Sequence, residues 1–197
     1  MPDKIIYLVR HGITHSNREK VYAGWSEEEL VEQGIAQTDR LGKELQRRGI
    51  LAIYTSPIRR ALQTAQILNK YIKEELIVES DLTEMKMGPW EGLSEDEIAM
   101  RYPSEYKMWL ERPAELKLNG RETLHEVQER AVRATNKILE IQSEGISLAV
   151  THLALIRCLI LYFNHLPLNS YKTIDIPNLS IHQLIFNSKR VVIERIS

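Results

Sequence analysis

The sequence has a single cysteine, no long uninterrupted apolar run and almost no net charge. Cys158 cannot form an internal disulfide and lies in an apolar stretch, which predicts a small buried side chain in a protein of the reducing cytosol. The most apolar stretch, residues 147–163, contains His152 and Arg157 and is too polar to span a membrane. The N-terminus lacks a signal-peptide pattern. We therefore expect a cytoplasmic protein without a membrane partner.

The formal net charge is −1, from 26 Lys and Arg against 27 Asp and Glu. Such a balance provides no overall attraction to nucleic acid, so we expect no nucleic-acid partner and infer that any anion site is a local cluster. Hydrophobic residues make up 43% of the 197 residues, which is ordinary for a globular protein. The length predicts one domain over residues 1–197, with room for an inserted cap.

Short apolar runs alternate with helical patterns along the chain. Buried-strand runs occur at 5–9, 51–54 and 147–150, with weaker strand candidates at 77–78, 180–186 and 191–193. Apolar residues at helical spacing occupy 35–45, 61–72 and 124–141. Thr123 and Glu126 form a capping-box pattern at the start of the last helix. The alternation predicts a three-layer α/β/α sandwich with a mostly parallel central sheet.

Residues from about 85 to 122 interrupt this alternation. The stretch is rich in aromatic residues and proline and has short helical patterns at most. We expect an inserted cap or lid, because long irregular excursions in compact domains often carry function. Four side chains could line a substrate pocket or form the core of the cap, and we expect the core for at least two: Tyr102, Tyr106, Met108 and Trp109.

Three predicted strand ends carry cationic or imidazole side chains. Arg10 and His11 follow the first strand, Arg59 and Arg60 begin the helix after the second, and His152 ends the third. Each residue alone has an ordinary structural interpretation. Because the carboxyl ends of parallel strands meet at one edge of a sheet, the three ends would converge on one crevice. The sequence therefore predicts an anion-binding site with at least two fixed positive charges.

Five segments in chain order extend this pattern over essentially the whole sequence. They are Leu8-Val9-Arg10-His11-Gly12 with Thr14 and Asn17, residues 54–65 around Arg60, Leu82-Thr83-Glu84, Gly120-Arg121-Glu122-Thr123, and Ala149-Val150-Thr151-His152 with Arg157. Together these segments resemble the histidine phosphatase superfamily, the phosphoglycerate-mutase-like enzymes. One Arg-His-Gly segment would be a weak signal, whereas five ordered segments are specific.

The resemblance implies a phosphatase that works through a phosphohistidine on His11. A neutral imidazole is a competent nucleophile near pH 7, and a covalent intermediate divides one difficult step into two. By resemblance, Arg10, Arg60 and His152 hold the phosphoryl oxygens, where charge accumulates. Glu84 is implied as the acid for the leaving alkoxide and then as the base for the attacking water.

Further phosphate or substrate contacts are implied for Asn17, Thr14, Gly24 and the backbone N–H of Leu153. The mechanism uses neither a metal ion nor a cofactor. The expected ligand is a small phosphorylated metabolite, with phosphoserine, α-ribazole phosphate and phosphosugars as candidates. Two positions depart from the family pattern: Leu153-Ala154 replaces a frequent Gly-Gly, and Ala23 replaces a frequent polar residue before Gly24.

A cofactor-dependent phosphoglycerate mutase is the main alternative. Its branch continues from the acid glutamate as Arg-His-Tyr-Gly and has an Arg-Arg pair in the insertion, whereas this chain has Met85-Lys86-Met87-Gly88 and no such pair in residues 85–122. Hydrolysis is therefore favoured. An inactive phosphate-binding or signalling module is an alternative of another class, although it would need neither nucleophile nor acid. A metal-dependent hydrolase lacks the expected ligand spacing. The sequence leaves the oligomeric state open, including a homodimer formed through an edge strand.

Overall fold

The computed structural model describes residues 4–142, 144–187 and 191–196. Both ends of the predicted 1–197 domain lie outside these ranges. The expectation about a signal peptide rests partly on residues 1–3, which are among those outside. No helix within them is long and apolar enough to cross a membrane.

A six-stranded sheet forms the centre of the molecule. Its strands are β1 (Lys4–Arg10), β2 (Ile50–Thr55), β3 (Glu75–Val78), β4 (Gly145–Thr151), β5 (Ile181–Phe186) and β6 (Val191–Arg195), in the spatial order β3-β2-β4-β1-β5-β6. The first four strands in that order pair in parallel, whereas β5 is antiparallel to both of its neighbours. The predicted mostly parallel sheet is confirmed, and the weaker strand candidates are all strands.

The side chains of β1 alternate between two separate apolar cores, as the two-residue period of a strand requires. Ile6 and Leu8 belong to the core on one face of the sheet, and Tyr7 and Val9 belong to the core on the other. All four are at most 4% exposed. A strand buried on both faces has to be apolar throughout, which explains the continuous run that marked it in the sequence.

Helices cover both faces of the sheet. They are α1 (His15–Glu19), α2 (Glu32–Leu45), α3 (Arg59–Ile72), α4 (Glu95–Arg101), α5 (Pro103–Glu111), α6 (Leu124–Ile141) and α7 (Leu153–Phe163). The apolar faces of α2 and α3 pack on one side of the sheet, and those of α6 and α7 pack on the other. This arrangement confirms the predicted three-layer sandwich.

The capping box predicted at the start of α6 is present. Thr123 Oγ1 accepts a hydrogen bond from the N–H of Glu126 at 3.3 Å, and Glu126 Oε2 accepts one from the N–H of Thr123 at 2.7 Å. Both bonds use backbone donors that the first turn of a helix leaves without partners. The helix therefore begins where the sequence pattern indicates.

The segment 85–122 contains α4, α5 and two short 3-10 turns, Gly88–Trp90 and Pro113–Glu115. Trp90 and Trp109 form an apolar core with side chains of α6 and α7, among them Cys158. The segment thus shares its core with the layer beneath it. Cys158 is fully buried, as expected, and Trp109 is 3% exposed, whereas the other three cap side chains are partly buried against this core. The action of the segment 85–122 as a lid stays a prediction.

Candidate active site

A cavity of about 430 Å³ lies at the carboxyl ends of β1 and β4. Six of the residues proposed from the sequence line it: Arg10, His11, Asn17, Arg60, Glu84 and Leu153. The remaining lining residues are Ser16, Lys20, Val21, Tyr22, Ala23, Met85, Met87, Glu95, Trp109, Arg157, Tyr171, Lys172 and Asn178. The convergence expected of parallel strand ends is therefore present, while three proposed residues, Thr14, Gly24 and His152, do not line the cavity.

The imidazole of His11 is fixed at both ring nitrogens. Nδ1 lies 2.8 Å from the carbonyl oxygen of Gly12, which can only accept, so Nδ1 carries the proton. Nε2 then has a lone pair, and it accepts a hydrogen bond from Nε of Arg60 at 3.2 Å. Burial, together with the charges of Arg60 and Arg10, holds the His11 pKa well below its usual 6.5. The ring is therefore neutral near pH 7, with its nucleophilic nitrogen defined.

Arg60, in the first turn of α3, ties the loop at residues 23–26 to His11. The guanidinium is 1% exposed and donates to the carbonyl oxygens of Ala23, Gly24 and Ser26 at 3.1, 2.7 and 3.2 Å. Burial lowers its pKa, but carboxylates including Glu84 oppose that shift. The position of this cation is thus set by backbone groups, and it faces the cavity in one orientation.

Gly24 acts within this loop through its backbone. Its carbonyl oxygen accepts from Arg60, and its N–H donates to Oε1 of Glu91 at 2.8 Å. A Cβ at this position would lie 2.6 Å from both the carbonyl oxygen of Met85 and Oε2 of Glu91. Only a glycine allows this close approach. Gly24 therefore contacts Arg60 through its backbone and does not line the cavity itself.

Arg10, at the end of β1, provides a second, partly buried cation. Its Nη1 donates to the carbonyl oxygen of Ile176 at 2.6 Å, whereas its Nε is buried and has no partner among the described residues. Burial lowers the Arg10 pKa to about 10, so the group stays charged at neutral pH. A buried, unpartnered N–H of a guanidinium at a cavity wall is a ready donor to an anion oxygen.

His152 is fully buried beside His11, with the two ring centroids 5.1 Å apart. Its Nε2 lies 2.8 Å from Oγ of Ser56, which also accepts from the N–H of Ile58 at 3.2 Å. If the hydroxyl proton of Ser56 is donated to Nε2, the ring proton is on Nδ1, which has no partner among the described residues. Burial and the charge of Arg60 hold the His152 pKa well below 6.5.

Glu84 is 5% exposed and reaches the cavity from the segment after β3. Its Oε1 accepts from the N–H groups of Met85 and Ala154 at 2.9 and 3.1 Å. Oε2 accepts no hydrogen bond from the described residues. One oxygen therefore anchors the carboxyl group, and the other is left for a ligand.

Asn17 lines the cavity, whereas Thr14 is fully buried and caps α1. Oδ1 of Asn17 accepts from the N–H of Thr14 at 3.2 Å and from Nδ2 of Asn178 at 2.9 Å, so its own amide N–H₂ is available to a ligand. Asn178 also donates to the carbonyl oxygen of His11 at 2.9 Å. Sequence reasoning missed Asn178, which lies outside all five recognised segments.

Leu153 is the first residue of α7 and lines the cavity. The N–H groups of a first helical turn have no partner within the helix and attract anions.

The described residues contain no group of three or more His, Cys, Asp or Glu side chains that could hold a metal ion. The groups at this site that can donate hydrogen bonds to an anion are guanidinium, imidazole, amide and backbone N–H groups.

The outer part of the cavity is lined by Tyr22 and Glu95, which the sequence did not propose for the site, and by Trp109, one of the four side chains considered for the pocket. Trp109 Nε1 donates to the hydroxyl of Tyr22 at 3.0 Å, and that hydroxyl lies 3.2 Å from Oε1 of Glu95. Arg157 donates from Nε to the carbonyl oxygen of Ile174 at 2.7 Å, and its guanidinium carbon lies 4.9 Å from the ring centre of Tyr171. These contacts join the cap segment to the C-terminal part of the fold.

Sequence comparison with known proteins identifies the family that the five segments resemble. The model of the family described as "Histidine phosphatase superfamily (branch 1)" matches residues 6–197. Phosphoserine phosphatase 1 of Hydrogenobacter thermophilus is 26% identical over 98% of this chain and 91% of its own length. Phosphoglycerate mutase-like protein 4 of Arabidopsis thaliana is 31% identical over 78% of this chain and 68% of its own length.

Solved structures share the fold. The Bacillus stearothermophilus protein YhfR superposes with a TM-score of 0.92 at 29% identity, over 98% of this chain and 96% of its own. The α-ribazole phosphatase of Shigella flexneri superposes with a TM-score of 0.87 at 21% identity, over 97% and 95% of the two chains, which shows similarity of fold alone.

Proposed function

Because this chain belongs to branch 1 of the histidine phosphatase superfamily, we propose that it is a metal-independent phosphatase that hydrolyses phosphate monoesters of small metabolites. The observation that carries the proposal is the state of His11. Its ring is neutral, its Nε2 lone pair faces Arg60 across 3.2 Å, and both residues line the same cavity. That geometry presents a nucleophile and a cation to one phosphoryl group.

In the first step Nε2 of His11 attacks phosphorus in line with the ester oxygen. The N–P bond forms as the P–O bond breaks, and Glu84 transfers a proton from Oε2 to the departing alkoxide. In the second step a water attacks phosphorus and gives a proton to Glu84, the N–P bond breaks, and inorganic phosphate leaves. The carboxyl group returns to its protonated state, and no metal ion or other cofactor is consumed.

Stabilisation of the transferring group falls to the fixed donors around it. Arg10 and Arg60 supply guanidinium N–H groups, His152 supplies Nδ1–H, Asn17 its amide, and Leu153 its backbone N–H. Donors that are already oriented need no rearrangement during the reaction, which is the main source of electrostatic catalysis.

The geometry gives Thr14 and Gly24 supporting roles in this proposal. Thr14 caps α1 and so fixes Asn17, while Gly24 permits the backbone path that holds Arg60. Neither side chain is needed at the phosphate itself. Both residues therefore contribute to the position of the donors.

The proposed substrates are small phosphorylated metabolites, with phosphoserine, α-ribazole phosphate and phosphosugars as the candidates. A relative named a phosphoserine phosphatase supports the first of these. A cavity of about 430 Å³ accommodates molecules of this size.

A screen of phosphorylated metabolites in the presence of EDTA tests the proposal, with His11→Ala as the blank and p-nitrophenyl phosphate as a generic substrate. We expect phosphate release by the wild-type protein and by His15→Ala, whose altered histidine is exposed, but not by His11→Ala. An acid-labile, alkali-stable phosphoprotein should form in a rapid quench. Equal release by wild type and His11→Ala would overturn the proposal, as would isomerisation of 3-phosphoglycerate without release of phosphate.

A further inference from the structure

The charged residues that line the cavity exceed the needs of a phosphate group. Arg10 and Arg60 match the two negative charges of a phosphate monoester, and Glu84 serves as the proton donor of the proposed mechanism. The remaining charged residues of the wall are Lys20, Glu95, Arg157 and Lys172. Their positions indicate which charged group the substrate carries in addition to its phosphate.

The charges of Lys172 and Glu95 offset each other. Lys172 is half-buried and lies over the rings of Trp109 and Tyr106, with Nζ 5.7 and 5.9 Å from their centres. Burial lowers the Lys172 pKa, while the negative charge of Glu95 opposes that shift. Lys20 is exposed, so solvent and salt screen its charge. Lys172 and Glu95 thus leave little net charge between them.

Arg157 has no such compensation. It is partly buried on α7 and projects into the cavity that also contains Arg10, whose pKa its charge lowers further. Its Nε donates to the carbonyl oxygen of Ile174, and its guanidinium lies over the ring of Tyr171, so two contacts hold the group in place. It forms no ion pair with any carboxylate of the described residues. A partly buried guanidinium held in place without an anion is poised for an anion from outside.

We propose that Arg157 binds a carboxylate of the substrate, so that the substrate is a phosphate monoester of a small carboxylic acid. This inference rests on the proposed phosphatase function and specifies its substrate class. One uncompensated positive charge matches the single charge of a carboxylate, and the planar fork matches its two oxygens. A second phosphate, with two charges, would leave one charge unmatched.

Matched pairs of substrates test the assignment, because each pair differs chiefly in the carboxylate. Phosphoserine and phosphoethanolamine form one pair, and 3-phosphoglycerate and glycerol 3-phosphate form the second. We expect the wild-type protein to prefer the carboxylated member of each pair by about 10- to 100-fold in kcat/KM, mainly through a lower KM. Arg157→Met should reduce this ratio to near one. Arg157→Lys should retain part of it, because the charge remains while the fork is lost.

Arg59→Met is the matched control, because Arg59 is exposed and paired with Glu29 outside the cavity. This variant should keep the wild-type ratio. Wild-type ratios near one, or an equal loss for both members of each pair in Arg157→Met, would overturn the inference. Because the wild-type ratio is measured without any substitution, the test holds even if Arg157→Met does not fold.

A third pair, fructose 1,6-bisphosphate and fructose 6-phosphate, addresses a second phosphate as the anion. A preference for the bisphosphate that Arg157→Met abolishes, without a carboxylate preference, would also overturn the carboxylate assignment. Failure of the phosphatase proposal itself is recognised separately. In that case neither p-nitrophenyl phosphate nor any of these substrates would be hydrolysed above the His11→Ala blank.

Discussion

Nε of Arg60 donates a hydrogen bond to Nε2 of His11 across 3.2 Å, so the nitrogen proposed to attack phosphorus is in contact with a cation before any substrate is bound. A guanidinium can only donate, and the imidazole must therefore keep its lone pair at Nε2. The same contact disfavours protonation of the ring. One interaction thus selects both the tautomer and the charge of His11.

Removal of the Arg60 cation should raise the pKa of His11 towards 6.5, because one of the charges that oppose protonation is lost. In Arg60→Met we expect a histidine signal that begins to titrate at higher pH, and kcat/KM lowered about 10²- to 10³-fold. NMR titration of labelled histidine, with His11→Gln to assign the signal, measures the first effect. Arg59→Met should leave both quantities as they are in the wild type. An unchanged His11 titration in Arg60→Met would refute the assigned interaction.

Glu84→Gln should separate substrates by their leaving groups. An alkyl phosphate needs a proton at the departing oxygen, so kcat should fall about 10²- to 10⁴-fold, whereas p-nitrophenol leaves without one. With p-nitrophenyl phosphate we expect a rapid burst of p-nitrophenol followed by slow turnover, because the base for hydrolysis of the phosphohistidine is also missing. Stopped-flow absorbance measures the burst. A loss of equal size for both substrates, without a burst, would contradict the role of Glu84.

Asn178→Ala should lower activity without a direct contact to the reacting atoms. The substitution removes the donor that fixes Oδ1 of Asn17 and the carbonyl oxygen of His11. Loss of such buried hydrogen bonds costs about 1–3 kcal/mol of unfolding free energy, and we expect kcat to fall about tenfold with it. Asn69→Ala is the control, since Asn69 bonds only to the exposed loop at Glu74. Urea unfolding and steady-state kinetics on both variants provide the comparison, and similar effects in the two would count against a positioning role.

Stability should decline as the pH falls through about 6.5. His11 and His152 are buried with pKa values well below 6.5, and burial lowers the pKa of His182 to about 4. Below pH 6.5 the unfolded chain binds protons that the folded chain does not, so the unfolding free energy falls by up to about 1.4 kcal/mol per pH unit for each such histidine.

Urea titrations between pH 7.5 and 5 measure this slope. His152→Gln should reduce it by the contribution of one proton, whereas His125→Gln, which alters an exposed histidine, should leave it as it is. Equal slopes in wild type and His152→Gln would show that His152 is protonated in the folded state.

The convergence of Arg10, Arg60 and His152 was predictable because it follows from strand direction. Continuous apolar runs identified β1, β2 and β4 as central strands, and parallel strands bring their carboxyl ends together. The periodicity of apolar residues likewise predicted α2, α3 and α6. These features depend on local sequence and on a rule of topology, and the structure confirms them.

Contacts between distant segments were not predictable in the same way. Asn178 reaches His11 and Asn17 from the loop before β5, and no local pattern marks it as a site residue. The contacts of Tyr22 with Trp109 and Glu95 depend on how the cap segment packs against the loop after α1. A single sequence gives the residue types there but not their pairing, because the partners lie far apart in the chain.

The pairing of β1 has a consequence for how the protein folds. Lys4 lies far in sequence from its neighbours in the sheet, which are Gly145 on one side and Phe186 on the other. Contacts between residues so distant in sequence form slowly, since a long loop has to close before they can be made. The apolar strand that ends next to His11 must therefore stay unpaired until β4 and β5 are available to it. Formation of the cavity wall at His11 thus depends on contacts that close the longest loops of the chain.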